Sequence, residues 1–448
     1  YMATVSCRAD GSSVFVEGNK YAHFFSGALA WRLSDESWIK SLNVFDDLKL
    51  RLSYGQTGNQ GIGTYATLPA MSVSSYPLGG TLTPGFAEQT WKGPINKDLK
   101  WETTDQFNAG LDISLAKGKV NFVIDYYYKR TNDLLQKVSI ESNSGYTQMA
   151  VNSGHVTNEG LEISGTFHPF ARQDFGWQID ANISFNRNKI GGLAGDQYGS
   201  NFINNVSNVF IQRNGCPIGT IVGFVEDGFY DNIAEVRADP QYANVSQADA
   251  EAMIGEIKYR DYTGDGAITD ADKRVIGDTN PDFTYGLTNT LRYKNFTLSF
   301  FFQGTYGNDI VNANTIANNT SSSMTGIQNI TREQYDTRWT AENAANARWP
   351  KPIEAGYKRE WKFSNRYIED GSYLRLKNIS LGYTFFPKWK GIKSINVYAS
   401  AQNLFTVTGY SWYDPDVNAY GNDVTRQGVD LYSYPSSRVY SFGLKLTF

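Results

Sequence analysis

The chain has 448 residues, with 41 Lys and Arg against 45 Asp and Glu and a formal net charge of −4, so it lacks the basic excess with which nucleic-acid binders neutralise phosphate. Aromatic residues make up 15% and charged residues 19%, against a usual charged share of about 25%; ring surface takes the place of charged surface. Mean hydropathy is −0.43 and no run approaches the ~18 consecutive apolar residues of a membrane helix, which excludes a helical membrane protein and leaves a large soluble β protein or a transmembrane β-barrel, whose polar lumen hides its membrane face from the average.

Period-two alternation predicts strands at about 1–9, 19–33, 47–56, 104–116, 119–130, 154–168, 175–189, 219–230, 282–293, 295–306, 372–385, 393–406 and 438–448. Val120, Phe122, Ile124, Tyr126 and Tyr128 oppose Asn121, Val123, Asp125, Tyr127 and Lys129. Trp177, Ile179, Ala181, Ile183 and Phe185 oppose Gln178, Asp180, Asn182, Ser184 and Asn186. At the end of the chain Tyr440, Phe442, Leu444, Leu446 and Phe448 oppose Ser441, Gly443, Lys445 and Thr447. Parity shifts once, between Leu376 and Ile379, which predicts a bulge near Asn378.

A soluble sandwich alternates in the same way, so connection lengths decide between the two classes. Lys117-Gly118, 169–174, Lys294-Asn295 and 386–392 are tight; 57–103, 131–153, 231–281, 307–371 and 407–437 are long. Short turns on one side and long loops on the other are the outer-membrane barrel asymmetry. The order breaks where 190–218 and 231–281 follow one another, and parity predicts a further strand at about 206–213, around Val209 and Ile211. That brings the count to about 14 strands. Residues 10–18 are short for a loop and 34–46 long for a turn. Rings at strand ends (Tyr54, Tyr293, Tyr383, Phe385, Trp389 and Phe405) fit interfacial girdles. The expected fold is an all-β transmembrane antiparallel barrel.

Little in the sequence suggests catalysis. His23, His155 and His168 form no ligand-spaced motif, and Cys7 and Cys216 lie in no redox or metal pattern and read as free thiols. Asp46-Asp47 and Lys358-Arg359-Glu360 show no acid–base partner pattern, so the protein reads as a non-enzyme. The sharpest motif is Asp261 to Asp272. Asp261, Thr263 and Asp265 fall at positions one, three and five of a calcium loop, Gly266 at its turn, Ala267 would offer a carbonyl and Asp272 would close the site. Thr at position three and Asp at position twelve depart from the pattern, and an Asx/Gly turn without metal accounts for the same residues. Calcium with a structural role is the expectation to test. In the long loops Trp91, Trp101, Trp339, Trp349, Trp361, Tyr410, Trp412 and Tyr413 stand among amides, carboxylates and hydroxyls. They are candidate platforms for sugars or peptides, since both present apolar faces edged by hydrogen-bonding groups. Packing of the loops on one another is the alternative.

Fourteen strands could close on themselves, but pairing is predicted from the first residue, with no initiating Met and no signal segment, which implies a processed terminus or a fragment. Leu50-Arg-Leu-Ser-Tyr-Gly-Gln-Thr-Gly-Asn59, Lys100-Trp-Glu-Thr-Thr104, Asp125-Tyr-Tyr-Tyr-Lys-Arg130, Asn158-Glu-Gly-Leu-Glu162, Asn280-Pro-Asp-Phe-Thr-Tyr-Gly286, Asp370-Gly-Ser-Tyr-Leu-Arg-Leu-Lys-Asn-Ile379 and Ala401-Gln-Asn-Leu-Phe405 form an ordered series along essentially the whole chain. In this series the chain resembles the SusC/RagA group of TonB-dependent transporters of Bacteroidetes. The resemblance implies the C-terminal part of a barrel of about 22 strands, with about eight strands, the plug domain and the TonB box outside this chain. It implies a place in the bacterial outer membrane and import of glycans or oligopeptides. Its implied partners are a SusD-like surface lipoprotein as lid, TonB as energy source, and the N-terminal barrel and plug portion. A non-transporting glycan-binding adhesin is the alternative.

Overall fold

A computed structural model describes residues 1–63, 67–68, 71–88, 93–199, 206, 208–319, 330–351, 362–389 and 391–448. Twelve strands form one antiparallel sheet: β1 (Met2–Gly11), β2 (Tyr21–Arg32), β3 (Phe45–Asn59), β4 (Glu102–Leu115), β5 (Val120–Asn132), β6 (His155–Ala171), β7 (Phe175–Gly191), β8 (Phe283–Tyr293), β9 (Phe296–Tyr306), β10 (Tyr373–Phe385), β11 (Ser394–Thr408) and β12 (Val439–Thr447). Each pairs with its neighbours in sequence, so successive connections must leave from opposite sides. One side carries 33–44, 116–119, 172–174, 294–295 and 386–393; the other carries 12–20, 60–101, 133–154, 192–282, 307–372 and 409–438. The two connections of awkward length thus fall into place, 12–20 as a short loop and 33–44 as a long turn. At the turn between β4 and β5, Lys117 (φ 58°) and Gly118 (φ 75°) take the left-handed backbone of a tight hairpin. Among the described residues no helix is long and apolar enough to cross a membrane.

Among the described residues the wall has twelve strands rather than the expected fourteen. The stretches read as wall strands at 219–230 and 206–213 lie inside the loop 192–282. There Phe210–Gln212 and Thr220–Gly223 belong to a four-stranded sheet with Gln197–Tyr198 and Arg274–Asp278, while Glu226–Phe229 pairs with Ile257–Tyr259. All four residues of Thr220–Gly223 are buried, and a strand covered on both faces has no two-faced pattern from which its place can be read. Counting it in the wall breaks the order of long and short connections, and the strand that parity then demands at 206–213 is Phe210–Gln212, which also belongs to the loop sheet and not to the wall.

The bulge falls one residue from its expected place. Phe301 pairs with Asn378 and Phe302 with Leu376, leaving Lys377 without a partner. The extra residue keeps Leu374 and Leu376 on the same face as Ile379, Leu381 and Tyr383 despite their change of parity. The apolar row faces outward, where a barrel wall meets lipid. Among the described residues β1 and β12 are each paired on one side only. The loops build cores, the first of them reaching the wall through Phe24 of β2. Phe15, Phe24, Leu99 and Trp101 form one; Val209, Phe210, Ile221, Val311, Ile316 and Val429, drawn from the last three long loops, lie in another.

Candidate functional site: the lumen face and the loop rim

The inner row of the wall is a hydrogen-bonded polar surface. Lys49 Nζ lies 2.7 Å from Asp112 Oδ2, and Arg51 donates through Nε to Asp112 Oδ1 (3.0 Å) and through Nη2 to Asp125 Oδ2 (3.1 Å). These residues stand on β3, β4 and β5, and Gly110 on the middle strand permits the crossing. A Cβ there would stand 2.6 Å from the guanidinium carbon and 2.4 Å from Asp125 Oδ1. Farther along, Thr166 donates to Asp180 (2.8 Å), Gln178 to the same carboxylate (2.9 Å), and the Tyr127 hydroxyl to Asn186 (2.9 Å). Such a face suits water and hydrophilic solutes rather than lipid.

Two ion pairs, one partly and one fully buried, tie the rim together. Arg366 donates through Nε to Glu226 (2.9 Å) and makes a second contact from Nη2, joining the loop 307–372 to the loop 192–282. The Arg366 guanidinium lies over the Trp349 ring, 5.1 Å from its centroid. Arg375 of β10 holds Asp414 of the last loop. Burial alone would raise the Asp414 carboxyl, but hydrogen bonds from the amides of Asp416 and Ser436 and from Arg375 bring it below the usual carboxylate range. Neither pair was expected from the sequence, since the partners lie 140 and 39 residues apart and no local pattern links them.

The loop 261–272 engages its carboxylates with its own backbone. Asp261 accepts from the amides of Gly264 (2.6 Å) and Gly266 (2.8 Å), and Asp265 from that of Ala267 (2.9 Å). Asp272 accepts from the amides of Tyr262 and Thr263 (3.0 Å each) and Thr269 (2.8 Å), and from the Thr263 hydroxyl (3.1 Å). Burial pushes its carboxyl up, but these donors outweigh burial and hold it down at about 2. Among the described residues no group of three or more His, Cys, Asp or Glu side chains is gathered to hold a metal ion.

The aromatic candidates divide. Trp101 (8% exposed) packs between Phe15 and Phe24 and donates its indole N–H to the Lys20 carbonyl (3.3 Å). Trp349 is 7% exposed and lies under Arg366. Both serve packing, a correction to their reading as platforms: long loops that build their own cores need large apolar anchors, and these rings supply them. Tyr410 is also buried and donates to Asp430 (2.7 Å). Trp339 is half-buried, with its N–H on Asp231 (2.8 Å). Trp412 is half-buried like Trp339, and Tyr413 beside it is 75% exposed. Trp91 and Trp361 lie outside the described residues. Cys7 and Cys216 are free thiols.

Comparison with known proteins agrees with this geometry. The family model described as TonB dependent receptor-like, beta-barrel matches residues 1–404. TonB-dependent receptor P3 of Formosa agariphila is 36% identical over 468 residues, a match covering all of this chain and 44% of the relative. TonB-dependent receptor SusC of Bacteroides thetaiotaomicron is 31% identical over 459 residues, covering all of this chain and 42% of the relative. The structure of the RagAB peptide transporter superposes with a TM-score of 0.78 at 25% identity, over the whole of this chain and 46% of that one. The chain therefore spans less than half the length of these relatives. With a twelve-stranded two-faced wall, loops sorted by length and a match over nine-tenths of its residues, the chain belongs to the TonB-dependent receptor β-barrel family of outer-membrane proteins.

Proposed function

We propose that the complete protein imports oligomeric nutrients, short glycans or peptides, across the outer membrane in a SusC-like role energised through TonB, and that this chain is the C-terminal part of its wall and outer mouth. The observation that carries this reading is a polar lumen face beneath a folded, cross-tied loop rim, on a chain that matches transport-family relatives along its whole length. The unpaired edges of β1 and β12 support it as well. Open edges facing lipid are not tolerated, so further strands, about ten in a barrel of about 22, must join them, with a plug inside.

A SusD-like surface lipoprotein is the proposed lid. The loop 60–101 supports this with a hairpin, Met71–Leu78 paired to Thr81–Glu88. Val73 stands opposite Phe86 and Pro77 opposite Leu82, so Met71, Val73, Pro77, Leu82, Pro84 and Phe86 share one face with Ser75, while the other mixes Ser72, Ser74, Thr81 and Thr83 with Tyr76 and Leu78. Met71, Val73, Leu82 and Phe86 are 56–74% exposed. An isolated two-stranded ribbon is marginal in water, and an uncovered apolar face of this kind suits a protein partner.

Deleting the complete gene and supplying oligosaccharide and peptide pools in turn tests the reading. Depletion of one pool should fall, and should be restored by the gene but not by a form lacking its TonB-interacting segment. Unchanged depletion of both pools would overturn import; binding at the cell surface without depletion would favour an adhesin.

A further inference from the structure

Arg375 stands apart from the other wall cations. Lys49 and Arg51 are partly solvated, whereas the Arg375 side chain is 1% exposed on the inner row of β10, between Gln303 of β9 and Thr406 of β11. A buried guanidinium costs stability unless its donors are engaged. Nε donates to Thr406 Oγ1 (2.9 Å) and Nη2 to Asp414, while Nη1 donates to Ser436 Oγ (3.4 Å) and lies 3.5 Å from Asp416. The cation also lies over the Tyr373 ring, 5.1 Å from its centroid.

Thr406 and Tyr373 belong to the wall; Asp414, Asp416 and Ser436 are the two legs of the last loop, 409–438. Asp414 accepts in addition from the amides of Asp416 (3.0 Å) and Ser436 (2.9 Å). One wall arginine thus draws both legs together and turns the base of the loop toward the lumen. Trp412 and Tyr413 stand directly before Asp414, edge to face, with ring centroids 5.3 Å apart. Trp101 and Trp339 engage their indole N–H groups within the protein. No described residue accepts from that of Trp412, and the Tyr413 ring is open to solvent.

We propose that Trp412 and Tyr413 form a contact platform at the lumen mouth for a ligand with a flat apolar face edged by hydrogen-bonding groups, a sugar ring or a peptide side chain, and that Arg375 is the positioning residue that holds it. The proposal rests on the import reading above. Fixing the loop at both legs before ligand arrives removes ordering cost from binding, and an edge-to-face pair leaves one ring face and its polar edge available.

The test uses the complete protein in lipid nanodiscs, offered maltooligosaccharides or a tryptic casein digest, with retained ligand identified by mass spectrometry. Trp412→Ala and Tyr413→Ala should each lower retention about tenfold while hydrogen exchange of 409–438 stays unchanged. Arg375→Met should speed exchange confined to 409–438 and lower retention to the same degree, with no further loss when combined with Trp412→Ala. Arg375→Lys, which keeps the charge but loses the planar fork, should fall between. If Arg375→Met does not insert, Asp414→Asn serves in its place. Equal retention by the aromatic variants, unchanged exchange on removing the arginine, or retention of neither pool by the unsubstituted protein overturns the proposal. Failure of the import reading is separate: cells would deplete neither pool while nanodisc retention and its loss on substitution persisted.

Discussion

Asp272 holds the loop 261–272 by accepting three amide protons and a hydroxyl. Replacing it with Asn turns an N–H donor toward those donors and should destabilise the loop by about 2 kcal/mol, read as faster hydrogen exchange at Tyr262, Thr263 and Thr269. The folded carboxyl, at about 2, lies below its ordinary 3.8. Its stabilisation is therefore full above pH ~4 and lost as pH falls toward ~2, a contribution of roughly 2 kcal/mol; exchange of the same amides across that window checks it. Because the carboxylates already accept from backbone amides, adding calcium or chelator should leave this exchange unchanged, whereas calcium-dependent protection would show that the loop rearranges around the ion. The spacing of the acids and Gly266 was legible in the sequence. Which way the carboxylates turn was not, since a cation and a ring of amides ask for the same oxygens.

At the scale of elements, close approaches between strands depend on single glycines. Gly304 of β9 lies under the Tyr285 ring, and a Cβ there would stand 2.2 Å from the Tyr373 carbonyl oxygen of β10. Backbone cannot yield as a flexible side chain does, so Gly304→Ala should force β9 and β10 apart at the loop end and cost roughly 2–3 kcal/mol, measured as a lower unfolding midpoint. Tyr285→Ala should not rescue it, because the backbone contact remains. The hairpin 71–88 belongs to the same scale. Val73→Ser with Phe86→Ser should leave barrel assembly intact and weaken association with the proposed lid at least about tenfold, checked by co-purification and by titration of the separated lid. The hairpin went unread within the long connection 57–103, where Gly79-Gly80 and the alternation of Ser with apolar residues were its local signs. The opposite error occurred at Thr220–Gly223, which resembles a wall strand but is an inner strand of a loop sheet.

For the molecule as a whole, the open edges govern behaviour. Separated from the strands that would complete the barrel, the wall should show its fastest strand exchange at β1 and β12 and its slowest at β6 and β7, which pair on both sides over most of their length. In the complete protein the outer two should become protected; exchange measured in both forms checks this. Alternation and the sorting of short from long connections were enough to establish a two-faced antiparallel wall and its membrane setting. Side-chain period and turn length are local properties, and lipid and lumen impose them strand by strand. The number of wall strands, the division of the loop rings into buried anchors and open platforms, and the ties from Arg375 to Asp414 and from Arg366 to Glu226 emerged only with the folded chain. Each depends on what covers a residue from a distant segment, and burial by a distant segment leaves no periodic trace in the residue's own neighbourhood.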